Sequence, residues 1–139
     1  MIINRMDERL YLFTDGASRG NPGPAGAGAI LKDQKGSVLR AGSQYLGQLT
    51  NNEAEYHALL LGLKMAREFK PECLICCLDS ELVVYQLTGR YRVRKSHLGL
   101  LLAKVRREEQ KFQKVIYKAI PREKNEAADR LANVALRGK

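Results

Sequence analysis

Runs of apolar, β-forming residues separated by polar and glycine-rich turns occupy the first third of the chain. They predict three strands, over Leu10–Asp15, Ala25–Lys32 and Val38–Leu46. A glycine- and proline-rich turn follows the first strand, and Asp33–Gly36 forms a short turn between the other two. Because strands with such short connections pair as neighbours, we expect an antiparallel meander.

From residue 50 onward, helical spacing alternates with apolar strands. Thr50 and Glu53 form a capping box that starts the first helix, and Pro71 follows its end. Helices are predicted over Thr50–Phe69, Ser80–Gly89, Leu98–Gln110 and Asn125–Leu136, and strands over Cys73–Leu78 and Val115–Ile120. Right-handed crossovers would set strands four and five parallel to strand one. We therefore expect one α/β domain over residues 1–139, with a five-stranded mixed sheet flanked by helices.

The charge of the chain points to an acidic partner. The net charge is +9, and between Arg90 and Lys124 basic residues outnumber acidic ones twelve to three. Nucleic acid is the first candidate, although a solvated basic surface is equally common. No apolar run approaches the ~20 residues that span a bilayer, and Met1–Glu8 lacks the apolar core of a signal peptide. We expect a cytoplasmic monomer with no membrane partner.

Three cysteines lie close together at Cys73, Cys76 and Cys77. Cys-x-x-Cys spacing occurs in zinc and redox sites, but there is no second cysteine pair, and His57 and His97 are distant in sequence. The segment also has the pattern of a buried strand, in which free cysteine acts as a small apolar residue. We favour this structural interpretation, which suits a reducing compartment.

Helical geometry separates two acids near the start of the first helix. Glu55 shares a face with Leu59 and Leu63, the apolar stripe that must meet the sheet. Glu53 lies on the solvent-facing side of the helix, and the capping box explains why an acid occurs there. A favourable interaction with the helix dipole would explain an acid at Glu55, but not one that faces the core.

Acids also follow the first and fourth strands, where α/β sheets usually bind their ligands. Asp15 closes strand one and Asp79 follows strand four. Asp129 lies in the first turns of the last helix, where a favourable interaction with the helix dipole is an alternative explanation for an acid. If these acids converged with Glu55, repulsion and burial would raise their pKa values. Divalent cations would remove that conflict, and oxygen-only ligands favour Mg²⁺ or Mn²⁺.

These motifs, in this order and spacing, resemble the type 1 ribonuclease H family. The matching segments are Thr14–Gly16, Gly20–Pro24, Thr50–Glu55, Asp79–Ser80 and Asn125–Ala132. The resemblance implies a ribonuclease H-like fold and endonucleolytic hydrolysis of the RNA strand of RNA/DNA hybrids, with 5′-phosphate and 3′-hydroxyl product ends. It also implies two metal ions per active site with substrate bound, held by Asp15, Glu55, Asp79 and Asp129.

By the same resemblance, Asn51 and Asn52 contact sugars and base edges in the minor groove, where a 2′-hydroxyl is read. Asn21 and Thr50 are expected near backbone phosphates. Capping and turn roles are equally expected of these residues, and both roles can hold at once. The expected partner is an RNA/DNA hybrid, with double-stranded RNA as a further candidate. The glycine-rich turn lacks the lysine of a P-loop, which argues against a nucleoside triphosphate.

Two features depart from the family. Many bacterial relatives carry a histidine in the loop before the last aspartate, whereas Ile120–Lys124 contains none. Arg122 is expected to contact phosphate there, as in archaeal-type relatives, but it cannot serve readily as a base, so the proton-transfer group stays open. The short link Gly89–Ser96 has no room for the extra basic helix of some relatives. Its own cations are expected to take over part of that binding: Arg90, Arg92, Arg94 and Lys95.

Two other functions stay open. A catalytically silent module for hybrid or double-stranded RNA would have lost at least one carboxylate, and all four are present. Fold alone does not separate the chain from a junction-resolving or DNA-transposing nuclease of the same superfold, but Asn51, Asn52 and the compact length argue against that class.

Overall fold

The computed structural model describes residues 8–94 and 96–137. The strands are β1 (Arg9–Ser18), β2 (Gly23–Lys32), β3 (Val38–Leu49), β4 (Cys73–Leu78) and β5 (Val115–Ala119). The helices are α1 (Asn51–Ala66), α2 (Glu81–Leu87), α3 (Ser96–Glu109) and α4 (Glu126–Arg137), with short 3₁₀ turns at Arg67–Phe69 and Arg122–Lys124. Every predicted strand and helix is present in the predicted order.

The strands form one sheet in the order β3-β2-β1-β4-β5. The first three strands pair antiparallel, as a meander. β4 pairs parallel to β1, and β5 pairs parallel to β4. The predicted mixed five-stranded sheet is therefore confirmed, and the carboxyl ends of β1, β4 and β5 meet at one edge.

The first strand is longer than its sequence pattern predicts. Its hairpin with β2 continues as far as the pair Ser18 and Ala25. Beyond that pair, the backbone N–H of Arg19 donates a hydrogen bond to the carbonyl of Pro24 at 2.8 Å. Asp15 consequently lies inside β1 instead of at its end.

Helices cover both faces of the sheet. Gly62 of α1 packs directly on Leu12 and Thr14 of β1, while Gly28 of β2 lies against the backbone of α4. Gly28 pairs with Asp15, which alternates with Thr14 along the strand, so α1 and α4 lie on opposite faces. The predicted apolar stripe of α1 is fully buried against the sheet.

All three cysteines lie in β4 as free, buried thiols. Burial raises the pKa of the Cys76 thiol and of the Cys77 thiol. The burial of all three thiols agrees with the structural interpretation, in which each cysteine packs as a small apolar residue. In the described residues, no helix combines the length and apolar character that crossing a membrane requires.

Candidate active site

Two aspartates lie at the edge where β1 and β4 separate. Parallel pairing of these strands ends at Phe13 and Cys77. Asp15 follows two residues later on β1 and is buried, with 8% of its surface exposed. Asp79 follows the last residue of β4 and is half-buried. The two carboxylates thus occupy the position that α/β sheets use for ligands.

Glu55 reaches the same edge from α1. A Cβ on Gly16 would lie 2.2 Å from the carbonyl carbon of Ala54, so only glycine lets the helix begin this close to β1. The Gly16 N–H donates a hydrogen bond to the Glu55 carboxylate. This close packing of strand and helix turns an acid on the buried face of α1 toward Asp15.

Glu53 is held away from this edge by the predicted capping box. The Thr50 N–H donates to Glu53 Oε1 at 2.9 Å, and the Glu53 N–H donates to Thr50 Oγ1 at 3.2 Å. His97 Nε2 lies 3.7 Å from the other carboxylate oxygen. As the helical spacing predicts, Glu55 lies buried while Glu53 forms the capping box.

The three carboxylates of Asp15, Glu55 and Asp79 each place an oxygen within 4.8 Å of the others. Burial raises the pKa of Asp15, and the neighbouring charges of Glu55 and Asp79 raise it further. Burial also raises the pKa of Glu55 against the opposing hydrogen bond from Gly16. Three crowded acids with all-oxygen donors fit a hard divalent cation such as Mg²⁺ or Mn²⁺, whose charge would offset their repulsion.

Asp129 lies at the rim of this cluster. Close packing of α4 on β2 brings it there, since a Cβ on Gly28 would lie 2.2 Å from the carbonyl oxygen of Ala128. Asp129 is exposed, and a hydrogen bond with its carboxylate is among the smaller causes that raise the pKa of Asp15. It lies beside the other three carboxylates without belonging to the group within 4.8 Å.

The acids line a cleft of about 310 Å³. Asn51, Asn52 and Arg122 also line it, as the sequence predicted for substrate contacts. The Asn21 side-chain oxygen instead accepts a hydrogen bond from the Asn51 N–H at 3.0 Å, and the Thr50 side chain caps α1. The remaining lining residues are Gly16, Ala17, Ser18 and Ser80.

Asn125 is a site residue that sequence reasoning missed. Its side-chain amide donates hydrogen bonds to the Thr14 carbonyl at 2.9 Å and to Asp79 Oδ2 at 2.8 Å. An asparagine directly before a helix is expected to cap that helix, so its type and place in the sequence gave no reason to look further. Only the folded chain brings residue 125 next to residue 79.

Relatives of known sequence match most of this chain. Residues 13–135 match the protein family described as reverse transcriptase-like. The chain is 39% identical over 128 residues to ribonuclease HI of Halobacterium salinarum, covering 92% of this chain and 64% of that protein. It is 39% identical over 129 residues to a bifunctional protein of Mycobacterium tuberculosis, covering 92% of this chain and 35% of that protein. It therefore spans only part of the length of these relatives.

Solved structures match more completely. The crystal structure of ribonuclease H1 from H. salinarum superposes with a TM-score of 0.91 at 38% identity, covering 94% of this chain and 99% of that one. The LC11 ribonuclease H1, solved in complex with an RNA/DNA hybrid, superposes with a TM-score of 0.89 at 38% identity, covering 93% and 97%.

Proposed function

The chain belongs to the type 1 ribonuclease H family, and on that basis we propose that it hydrolyses the RNA strand of RNA/DNA hybrids. The observation that carries the proposal is the close group of three carboxylates at the sheet edge, with Asp15 and Glu55 buried and Asp79 half-buried. A module that only bound nucleic acid would gain nothing from burying mutually repelling acids. Bond cleavage between phosphate and the 3′ oxygen would give 5′-phosphate and 3′-hydroxyl ends.

The acids would hold two divalent cations with substrate present, Mg²⁺ or Mn²⁺, with Asp129 completing the ligand set from the rim. When bound, such a pair supplies an activated water and stabilises the leaving oxygen of a phosphodiester. The protein fixes the ligands beforehand: Asp15 by its place in β1, and Glu55 by the hydrogen bond from Gly16. The set needs little rearrangement when substrate arrives.

Selection of RNA falls to the asparagines at the start of α1. Asn51 and Asn52 line the cleft next to Glu55, and each carries an amide that can donate and accept hydrogen bonds at a 2′-hydroxyl. The Asn21 side-chain oxygen is engaged with the Asn51 N–H, so the NH₂ group of Asn21 is what it can offer a backbone phosphate. Asn21 thereby also positions Asn51. Thr50 would approach the same phosphates from the helix start.

Arg122 takes the place that a loop histidine holds in many relatives. It lines the same cleft as Glu55, and its positive charge is a minor cause that lowers the pKa of Glu55. A guanidinium is a poor general base, so Arg122 is assigned to stabilising phosphate charge instead of moving protons.

Replacing Arg122 with alanine should lower turnover on the order of 10²-fold, the effect of losing one donor to a developing oxyanion. Arg122→Lys should recover part of this loss, because a point charge remains without the fork of donors. Single-turnover cleavage of a labelled hybrid at saturating Mg²⁺ measures both.

The matched control is Lys124→Ala, which removes a cation from the same 3₁₀ turn but outside the cleft. It should turn over at the wild-type rate. The pH–rate profile of Arg122→Ala should keep both limbs, since no titrating group is lost. Normal turnover or a flattened profile in Arg122→Ala would contradict the electrostatic role.

The link between α2 and α3 offers a second contact surface. Arg90 stacks over the Tyr85 ring, with 4.5 Å from its guanidinium carbon to the ring centroid. Arg92 and Arg94 are exposed, and Lys95 lies outside the described residues. In contrast, Arg106 of α3 already forms an ion pair with Glu109 at 2.9 Å. We therefore assign duplex binding beyond the cleft to the link.

Replacing Arg92 and Arg94 together with alanine should weaken hybrid binding without changing the rate of the bound complex. Each lost phosphate contact should reduce the slope of log affinity against log salt by about one. Binding isotherms at several salt concentrations measure this slope. Lys35 lies in the turn between β2 and β3, and Lys114 directly precedes β5, so both lie at the end of the sheet away from the cleft. The double variant Lys35→Ala with Lys114→Ala should leave the salt slope unchanged.

Incubation of the protein with labelled RNA/DNA hybrid, double-stranded RNA and duplex DNA tests the proposal directly, with Mg²⁺, with Mn²⁺ and with chelator. We expect cleavage of the hybrid RNA strand only when a divalent cation is present. Binding of hybrid without cleavage would favour the silent module, and cleavage of duplex DNA would favour another nuclease of the superfold. Light scattering of the same samples tests the expected monomer.

A further inference from the structure

The Asn125 side chain lies between the ends of two strands, with 2% of its surface exposed. One amide nitrogen serves two acceptors there: the Thr14 carbonyl on β1 at 2.9 Å and Asp79 Oδ2 after β4 at 2.8 Å. A buried amide that bridges a backbone carbonyl and a carboxylate ties the two strand ends together at the candidate metal ligands.

The chemistry of its acceptors fixes the orientation of this amide. The NH₂ group can donate two hydrogen bonds, whereas a backbone carbonyl and an ionised carboxylate can only accept them. The reverse orientation would point Asn125 Oδ1 at two other oxygens. In the observed orientation the NH₂ group has two acceptors, and Oδ1 is buried without a hydrogen-bond partner among the described residues.

The backbone of Asn125 reaches a further acid. Its carbonyl accepts a hydrogen bond from the Asp129 N–H at 3.1 Å, in the first turn of α4. Thr14 directly precedes Asp15. A single buried residue therefore contacts Asp79 itself, the backbone next to Asp15 and the backbone of Asp129.

We propose that Asn125 is a positioning residue for the cation site: it holds Asp79 Oδ2 and so turns the other carboxylate oxygen, Oδ1, toward the bound ion. This inference rests on the proposed function, because it assumes that the acids bind a cation. Hydrogen-bonding partners of metal ligands orient them, and their loss typically costs 10–100-fold in metal affinity or activity.

The test uses two variants that lose the amide but differ in volume, Asn125→Ala and Asn125→Leu. The matched control is Tyr56→Phe, which removes another buried hydrogen bond, from the Tyr56 hydroxyl to Gln86 Oε1 at 2.8 Å, outside the cleft. Mg²⁺ is titrated into each metal-free protein, and the amide NMR shift of Gly16, which contacts Glu55, reports binding. Thermal unfolding in chelator measures the stability of each variant.

Both Asn125 variants should bind Mg²⁺ at least about tenfold more weakly than wild type, and their cleavage should need correspondingly more Mg²⁺ for half-maximal rate. Tyr56→Phe should lose stability but keep wild-type Mg²⁺ affinity. If the Asn125 variants lose stability and still bind Mg²⁺ as Tyr56→Phe does, Asn125 is structural only and the inference fails.

A measurement on the unaltered protein covers the case in which neither variant folds. The side-chain amide protons of Asn125 should exchange with solvent far more slowly than those of the exposed Gln48, and should shift on Mg²⁺ addition. Fast exchange or unshifted resonances would overturn the inference. A wild-type protein that neither binds Mg²⁺ nor cleaves hybrid would instead defeat the proposed function, so the two failures are distinguishable.

Discussion

Asp15→Asn and Asp79→Asn should each abolish cleavage of an RNA/DNA hybrid while leaving hybrid affinity within about tenfold of wild type. Each change removes one ligand charge from the group of carboxylate oxygens that lie within 4.8 Å of one another, and the activation of water depends on the cations held there. Hybrid affinity comes mainly from cations that contact phosphates, which these variants keep. Cleavage and filter-binding assays on the same preparations separate the two quantities.

Stability measurements decide whether lost cleavage reflects lost chemistry or lost folding. Burial raises the pKa of Asp15 above its unfolded value, so the folded metal-free protein binds protons more tightly than the unfolded chain. The contribution of Asp15 to the free energy of unfolding should therefore be largest at pH values below about 4, the ordinary carboxyl pKa, and should be lost as the pH rises through the raised pKa. Near neutral pH, the buried site opposes the ionisation that Asp15 undergoes in the unfolded chain, and this difference destabilises the fold. Asp15→Asn removes it, so the Tm of this variant in chelator should equal or exceed that of wild type.

Glu123→Gln is the matched control, since it neutralises an exposed acid outside the cleft. It should cleave at the wild-type rate. Near-wild-type turnover in Asp15→Asn or Asp79→Asn would contradict the carboxylate site. A large drop in the Tm of Asp15→Asn would instead contradict the electrostatic account of the cluster.

Local chemistry in the sequence specified much of this site. The capping box of Thr50 and Glu53 set the start of α1, and the 3.6-residue period then placed Glu55 on the buried face. Right-handed crossovers set β4 parallel to β1, which directed the carboxyl ends that carry Asp15 and Asp79 to one edge. These predictions needed only residue spacing and the order of strands and helices, and the folded chain shows the same placements.

Other features depended on distances that no local pattern encodes. The close approach of α4 to Gly28 set how far Asp129 lies from the other three carboxylates, and helical period alone did not fix that distance. The contact between Asn125 and Asp79 joins residues 46 positions apart in the sequence. The pairing of Arg106 with Glu109 reduced the basic surface that a count of charges suggests. Each depends on packing between elements, which emerges only in the assembled fold.

Glu55→Gln should be far more damaging to turnover than Glu53→Gln, although both replace a glutamate by its amide near the start of α1. The substituted amide could still accept the hydrogen bond that Gly16 donates to Glu55, so the packing of α1 on β1 should survive. The ligand charge would be lost. Because a catalytic cation contributes several kcal/mol and about 1.4 kcal/mol corresponds to tenfold, the expected loss is roughly 10³-fold.

Glu53→Gln should act on the helix instead. Its carboxylate accepts from the Thr50 N–H and lies near His97, and a glutamine can keep the first contact but loses the negative charge beside His97. The free energy of unfolding should fall by at most about 1 kcal/mol, with turnover near wild type at a temperature below the Tm. Single-turnover rates and thermal unfolding of both variants measure the contrast. The opposite order, with Glu53→Gln slow and Glu55→Gln active, would mean that the capping acid and not the buried one serves the reaction.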